Sequence, residues 1–152
     1  MERPNLLVVF TLDDRRYALH LSAVDRAVRI ADITPLPRAP DIVLGVVNVQ
    51  GRVIPVVNVR RRFRLPEREI ALTDQLIIAH TARRPVALVA DGMTGVIEYP
   101  EADLVGAESV LPGVEYLEGV AKLKDGLVLI HNLDRFLSLD EERSLDRAMK
   151  AT

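Results

Sequence analysis

Short apolar runs recur along the whole chain, and in many of them apolar residues alternate with polar ones. Runs of this length that are rich in Val, Ile and Leu and bounded by turn residues predict β-strands. We expect strands at residues 6–12, 17–21, 26–30, 45–49, 53–59, 75–80, 86–90, 95–99, 119–123 and 127–133. The pattern therefore predicts a mainly β fold.

Turn residues separate several of these runs. Asp13-Asp14, Gln50-Gly51 and Asp125-Gly126 are the expected turns, because Asp, Asn and Gly tolerate the backbone angles that tight turns require. Pro55 interrupts the run 53–59, and proline cannot donate to a sheet ladder. We therefore expect it on an edge strand or at a bulge.

One segment near the C-terminus has the pattern of a helix. Ser138 and Glu141 have capping-box spacing, in which each side chain satisfies a free backbone N–H of the other. Leu145, Ala148 and Met149 then fall on one face at helical spacing. We expect a short C-terminal helix over residues 140–152.

The chain contains an internal repeat. Residues 45–63 lie without a gap over residues 119–137, so that Gly45 meets Gly119 and Asn58 meets Asn132, a shift of 74. Residues 17–30 lie over residues 86–99 with a shift of 69. A duplicated set of about five short strands predicts two small β-barrels, since closure removes exposed sheet edges.

The expected domain is residues 1–139, divided into two packed barrels. We place the first barrel at roughly residues 13–65 and the second at roughly 66–139, with the N-terminal strand in either. Each half is small, so the two are expected to pack together and fold as one unit.

Composition narrows the chemistry that the chain can perform. The 152 residues include no cysteine, which excludes disulfides, thiol nucleophiles and zinc-thiolate sites. The net charge of −2 gives no overall attraction to nucleic acid or to an anionic membrane. No apolar run approaches the length of a membrane span. These properties predict a soluble cytoplasmic protein.

The three histidines are His20, His80 and His131, and none has the spacing of a metal ligand pair. Each lies in or at the end of an apolar strand, which predicts a structural role. No catalytic constellation stands out, so we expect no enzymatic activity, no metal and no cofactor.

Four arginines cluster after the strand at 53–59, at positions 60, 61, 62 and 64. Small barrels can bind oligonucleotides through such a patch, but aromatic residues for base stacking make up only 4% of the chain. A patch that faces another protein and a merely solvated strand end remain alternative interpretations.

The stretches TPLPRAP, VLGVVNVQGRVIPVVNVRRRF, VALVADGMTGVIEYPE and EGVAKLKDGLVLIHNLDRFL together resemble the CheW family. The resemblance covers roughly Leu6 to Leu139. It implies two SH3-like five-stranded barrels and a non-catalytic adaptor. It also implies two partners, the cytoplasmic tip of a chemoreceptor-like protein and the regulatory domain of a CheA-type histidine kinase. Such an adaptor is cytoplasmic and can be recruited to membrane-associated receptor arrays.

The resemblance implies a receptor-facing surface on the first barrel. Its candidate residues are Val24, Arg26, Asn48, Gln50, Asn58 and Arg60. The family turn commonly reads Asn-Leu-Arg-Gly, the next strand Val-Asp-Leu-Arg, and an earlier strand Val-x-Glu-Val. This chain replaces those charged residues with Gln50, Asn58 and Arg26. Charged pairs steer partner choice, so the changes predict a divergent chemosensory pathway. Either its receptor carries a compensating acidic residue opposite Arg26, or the pathway controls something other than swimming.

The second barrel is expected to carry the kinase-facing surface. Met93, Val96 and Tyr99 are its candidate residues, with Met93 the best candidate for exposure. The alternative functions are a small-ligand sensor, a nucleic-acid-binding barrel and, least favoured by the residues, an enzyme.

Overall fold

The computed structural model describes residues 5–100, 104–106 and 117–151, and strands dominate this part of the chain. The strands are β1 (Leu6–Leu12), β2 (Arg15–His20), β3 (Val24–Arg29), β4 (Val43–Val49), β5 (Arg52–Val57), β6 (Gln75–His80), β7 (Pro85–Ala90), β8 (Gly92–Glu98), β9 (Val105–Gly106), β10 (Leu117–Leu123) and β11 (Gly126–His131). The helices are α1 (Val59–Arg62) and α2 (Leu139–Lys150), and 3₁₀ turns cover Leu21–Ala23 and Leu133–Arg135. None of these helices is long and apolar enough to cross a membrane.

All ten strands predicted from the sequence are present, and two of them end two residues early. The runs predicted at 53–59 and 127–133 stop as strands at Val57 and His131. In each case the next residue is an asparagine, Asn58 or Asn132, whose side chain accepts a backbone N–H of a helical turn. The capping amide therefore ends the strand although the apolar pattern continues.

The strands form two sheets. The A sheet has six strands in the order β8-β1-β2-β11-β10-β9. The B sheet has five strands in the order β3-β6-β7-β5-β4. The two orders match under the sequence repeat, in which β1 to β5 correspond to β6, β7, β8, β10 and β11. In each sheet, the strands that come first and second in the repeat belong to one copy, and those that come third, fourth and fifth belong to the other.

The predicted boundary between barrels near residue 65 is therefore wrong. Strands from both sides of that position belong to each sheet, because the chain changes sheet at the 3₁₀ turn Leu21–Ala23 and again at Asp91. A parallel pairing joins the two copies within each sheet, β5 with β7 and β2 with β11. Neither half of the sequence can complete a sheet alone.

The largest apolar cluster contains residues of both sheets. Phe10 and Tyr17 of the A sheet share it with Val57 and Leu88 of the B sheet. Smaller clusters occupy each sheet separately, around Ile54 in the B sheet and around the Val9 region in the A sheet. The two units share their main core, as expected of small units that fold together.

Pro55 lies in an interior strand and not on an edge, contrary to the sequence prediction. It is opposite Val46 of β4, whose N–H and C=O both bond to Thr34 instead. The parallel pairing of β5 with β7 involves Val56 and Val57 only. Pro55 therefore sits where neither neighbouring strand needs its missing N–H.

The C-terminal helix forms as predicted. Ser138 Oγ accepts the N–H of Glu141, and the Glu141 carboxylate accepts the N–H of Ser138. Leu145 and Ala148 are buried in the cluster between the sheets. Three ion pairs also hold the helix, from Arg62 to Glu141 and from Arg84 to both Glu142 and Asp146. The helix thus covers the shared core.

We expect Gly45→Ala to destabilise the fold more than its repeat counterpart Gly119→Ala. A Cβ on Gly45 would lie 2.3 Å from Thr34 O, at a φ of +154°. A Cβ on Gly119 would lie 3.0 Å from Val105 O. Overpacking against backbone costs about 1–3 kcal/mol, and Gly45→Ala should reach the upper part of that range. Urea denaturation of both variants measures this, and equal losses would contradict the proposed clash.

Candidate partner-binding surfaces

A side-chain hydrogen bond and two residues with positive φ shape the turn of the β4–β5 hairpin. Asn48 Oδ1 accepts the N–H of Gly51 at 2.9 Å. Gln50 and Gly51 both have positive φ, 51° and 85°, as the two central residues of a hairpin turn that matches strand twist require. The amide of Asn48 therefore shapes the turn, while the exposed side chain of Gln50 points away from the core.

Asn58 is not part of an outward surface, contrary to the sequence prediction. It is 9% exposed, its Oδ1 accepts the N–H of Arg61, and its Nδ2 donates to Glu67 Oε1 at 2.6 Å. Both ends of the amide are occupied inside the protein. Asparagine can accept and donate at once, which a carboxylate at this position cannot do.

Arg60 is also an internal residue. Its side chain is 11% exposed and forms ion pairs with Asp13 at 2.9 Å and Asp91 at 2.8 Å. It also donates to the carbonyl of Pro66. Asp13 lies in the β1–β2 turn of the A sheet, whereas Arg60 follows β5 of the B sheet. Arg60 therefore connects the sheets.

Arg68 extends this connection into an ionic network. Its guanidinium donates to both oxygens of Asp74 and to Asp91. These bonds lower the pKa of Asp74, opposing the effect of burial, and the Ala71 N–H lowers it further. Burial pushes the pKa of Asp91 upward, but hydrogen bonds from Asp13 N–H, Arg60 and Arg68 outweigh it and leave that pKa below its ordinary value.

The repeat reproduces the contact between Arg60 and the β1–β2 turn with different chemistry. The counterpart of Arg60 is Asp134, and the counterpart of Asp13 is Ala82. Asp134 Oδ1 accepts the N–H of Ala82 at 2.7 Å. Sequence reasoning missed this network, although the aspartates at strand ends were visible as turn residues.

Two of the predicted receptor-facing residues lie on β3. Arg26 is exposed, and no ion pair or hydrogen bond of its side chain occurs within the described residues. Val24 is partly buried against the shared core. A β-bulge separates the pairings of Val24 and Arg26 with β6, and a bulge redirects side chains.

β3 and β4 stand at opposite ends of the B-sheet order. However, Val28 of β3 packs on the same apolar cluster as Val47 and Val49 of β4. The sheet therefore curls toward closure, and Arg26, Asn48 and Gln50 remain the exposed charged or amide members of the predicted surface.

The second predicted surface is smaller than expected. Met93 is partly buried against the shared core, so the prediction that it is the most exposed of the three is wrong. Tyr99 packs on the A-sheet cluster, and its hydroxyl accepts the N–H of Lys122. Val96 is 55% exposed on β8, an edge strand of the A sheet. Val96 is thus the exposed apolar member of this set.

The arginine cluster is largely neutralised. Arg60 pairs with Asp13 and Asp91, and Arg62 pairs with Glu141 at 2.7 Å. Arg61 and Arg64 remain exposed. Arg61 also lies 3.9 Å from a carboxylate oxygen of Glu67. Three of the four arginines thus make internal contacts, which weakens the interpretation as a nucleic-acid surface.

The three histidines, which are far apart in sequence, all line one cleft between the sheets. His20 contacts Glu118 and Asn5, and His80 contacts Asp25. His131 is buried and stacks on Phe63 at a centroid distance of 4.2 Å. In the described part of the chain, no group of three or more His, Asp or Glu residues is arranged to hold a metal ion.

The fold and these surfaces define a mainly β protein of two SH3-like units with a short C-terminal helix. The CheW-like domain model matches residues 6–141, and the chain belongs to that family. Among solved structures, it resembles the scaffolding protein TtCheW from Thermoanaerobacter tengcongensis. That match has a TM-score of 0.82 and 26% identity, and it covers 93% of this chain and 92% of the other.

Curated relatives match over similar lengths. The chemotaxis protein CheW of Bacillus subtilis is 29% identical, with 91% of this chain and 88% of the relative covered. The protein of the same name from Treponema pallidum is 26% identical, with coverages of 91% and 85%. Protein FrzA of Myxococcus xanthus is 27% identical, with coverages of 91% and 88%.

We expect Arg60→Ala to reduce the free energy of unfolding by about 1–3 kcal/mol, because it leaves the carboxylates of Asp13 and Asp91 without their cation. Arg26→Ala is the matched control and should change it by less than about 0.5 kcal/mol, as for other exposed residues. Urea denaturation at pH 7 measures both. If the two variants lose the same stability, Arg60 is not a connection between the sheets.

Asp74 should make the fold sensitive to acid. Its pKa is lowered in the folded state, so its stabilising contribution is complete above the unfolded value of about 3.9 and is lost as pH falls through the folded pKa. Asp74→Asn should therefore lower stability at pH 7 by about 1.5–3 kcal/mol and flatten the loss below pH 4. Urea denaturation between pH 3 and 7 tests this.

Asp125→Asn provides the control for this pH series. Asp125 pairs with Arg16 at 3.0 Å, but its side chain is highly exposed. It should have a much smaller effect than Asp74→Asn at pH 7, because exposed ion pairs are weak. A variant of Asp74 whose pH profile parallels that of the unmodified protein would contradict the role given to Asp74.

Proposed function

We propose that the chain is a non-catalytic adaptor that couples the cytoplasmic tip of a chemoreceptor-like protein to the regulatory domain of a CheA-type histidine kinase. Membership of the CheW-like family over residues 6–141 carries the proposal. Relatives named as chemotaxis proteins and a relative described as a scaffolding protein support an adaptor role in chemosensory signalling. Such an adaptor works in the cytoplasm, at receptor arrays.

The distribution of exposed residues supports two separate partners. Arg26 and Gln50 are exposed on the B sheet, whereas Val96 is exposed on the edge strand β8 of the A sheet. Two partners can therefore bind without competing for one surface. We assign the receptor to the first surface, with Val24 and Asn48 beside it, and the kinase to the second, with Met93 and Tyr99 supporting Val96.

Coupling requires that the adaptor distinguish two receptor states. It can transmit only the difference between its affinities for those states. The shared core and the ionic network connect the sheets that carry the two surfaces, which gives a physical link between the two partners.

The charge reversal at position 26 supports a divergent receptor. An arginine where relatives commonly have a glutamate favours an acidic residue on the partner and disfavours a basic one. A double-mutant cycle between Arg26 and that acidic residue should give a coupling of at least about 1 kcal/mol. A coupling near zero would remove the divergent-receptor proposal and leave the adaptor proposal in place.

We expect the two surfaces to be separable by mutation. Val96→Asp should weaken binding to the kinase regulatory domain by about tenfold or more, because it buries a charge in an apolar contact. Arg26→Glu should weaken binding to the native receptor tip by a similar factor and leave kinase binding unchanged. Co-purification and calorimetry with each isolated partner measure these effects.

Controls for this experiment lie elsewhere on the surface. Leu72→Asp places the same charge on a side chain that is 94% exposed in the β5–β6 loop. Arg143→Glu reverses an exposed charge on α2. Both should bind normally. Failure of the unmodified protein to bind either partner would reject the adaptor function itself.

A further inference from the structure

The repeat places a cleft at each of two equivalent strand ends, the end of β5 in the B sheet and the end of β11 where the two sheets meet. Each lies where the strand end that carries a capping asparagine meets its parallel neighbour. The loop cleft is lined in part by Asn58, Val59, Arg60 and Val89, and the histidine cleft by their repeat counterparts Asn132, Leu133, Asp134 and His20. Equivalent backbone thus surrounds two sites with different contents.

A segment of the chain itself occupies one wall of the loop cleft. The β5–β6 connection supplies Glu67 and Ile70 to the lining. Glu67 Oε1 accepts Asn58 Nδ2 at 2.6 Å, and the carbonyl of Pro66 accepts Arg60 Nη1 at 2.9 Å. The space left is about 80 Å³. The amide of Asn58 and the guanidinium of Arg60 therefore hold an irregular peptide segment in the loop cleft.

The histidine cleft has no such segment in the described part of the chain. Its volume is about 170 Å³, and the residues that follow Asp134 contribute nothing to its lining there. Asn132 Oδ1 accepts the N–H of Asp134, but no acceptor among the described residues faces its Nδ2. One carboxylate oxygen of Asp134 bonds to Ala82 N–H, and within the same residues the other has no partner.

The charges around the histidine cleft define what it can hold. Arg60 of the loop cleft is replaced by Asp134, and Leu44 by Glu118, which bonds to His20. A third carboxylate, that of Asp25, bonds to His80. The described lining contains no lysine or arginine. The loop cleft thus holds hydrogen-bond acceptors and an isoleucine beside a cation. In the histidine cleft, acidic residues replace that cation and an apolar residue, so this cleft favours a cationic ligand.

We propose that the histidine cleft binds an extended segment of a partner protein that carries arginine or lysine. The cationic side chain pairs with Asp134, with Glu118 adding to the attraction, and a backbone carbonyl of the segment accepts Asn132 Nδ2. The segment takes the place that the β5–β6 connection has in the loop cleft. This inference does not rest on the proposed coupling, because it derives from the repeat and the charges of the cleft alone.

Nuclear magnetic resonance titration of the ¹⁵N-labelled full chain tests the proposal. The probes are three peptides, Ac-Ala-Ala-Xaa-Ala-Xaa-Ala-Ala-NH₂, with Xaa as Arg, Gln or Glu. We expect the Arg peptide to shift the resonances of the Asn132 side-chain amide and the Ala82 backbone amide in a saturable way. Its affinity should fall as salt is added. The Gln and Glu peptides should leave those signals unmoved. No saturable shift with the Arg peptide, or equal shifts with the Gln or Glu peptide, would overturn the proposal.

Isosteric variants separate the cleft from general surface charge. Asp134→Asn retains an oxygen for the Ala82 N–H, and Glu118→Gln retains one for His20, while each removes a charge. Each variant should weaken binding of the Arg peptide by about fivefold or more, because loss of a charged pair costs roughly 1 kcal/mol. Glu98→Gln, at the end of β8, is the matched control and should not change the affinity.

The variants give clear outcomes in either direction. A loss confined to Asp134→Asn and Glu118→Gln supports the cleft. An equal loss with Glu98→Gln would show general attraction to an acidic surface and would overturn the proposal. Unchanged affinity in both cleft variants would overturn it too. Thermal unfolding by circular dichroism verifies that each variant is folded before titration.

Discussion

The exchange of strands between the two copies of the repeat is the constraint on which the rest of the structure depends. Each sheet is completed by a parallel pairing between copies, β5 with β7 and β2 with β11. The main apolar cluster then lies between the sheets and includes residues of both. Since each unit is too small to bury a sufficient core alone, exchange makes one cooperative body out of two marginal ones.

Internal contacts give a structural role to two residues at motif positions of the family. Arg60 and Asn58 stand at positions that family resemblance associates with partner binding, yet both are occupied internally by Asp13, Asp91 and Glu67. Bidentate and multiply bonded guanidinium groups hold a fixed geometry better than flexible ammonium groups do. Arginine at position 60 is thus explained by the contact between the sheets, and the polar candidate residues that stay exposed are Arg26, Asn48 and Gln50.

The two copies of the repeat share a backbone pattern and differ in the side chains that it carries. The backbone pattern of β4–β5 recurs in β10–β11, including the bulge beside Gly45 and Gly119 and the capping asparagines. The side chains that decorate this shared pattern differ in charge, as with Arg60 and Asp134. Duplication therefore supplies two equivalent scaffolds, and substitution gives them different surfaces and different clefts.

The sequence by itself determined the strands, the helix, the repeat and the family. Strand positions follow from local alternation and turn residues, and the helix follows from the Ser138–Glu141 capping box, because these signals act over a few residues. It also indicated that Arg26 and Gln50 are unusual. It gave the wrong sheet membership, the wrong setting for Pro55, and the wrong exposure for Asn58 and Met93.

Only the tertiary structure decided those features, because each depends on residues distant in sequence. Strand exchange joins segments that are distant in sequence, such as Ile130 of β11 and Ala18 of β2, and no local pattern records which copy completes a sheet. Pro55 is tolerated because Thr34 takes the hydrogen bonds of Val46. The gathering of three histidines in one cleft likewise arises from how the strand ends converge, which periodicity along a chain does not encode.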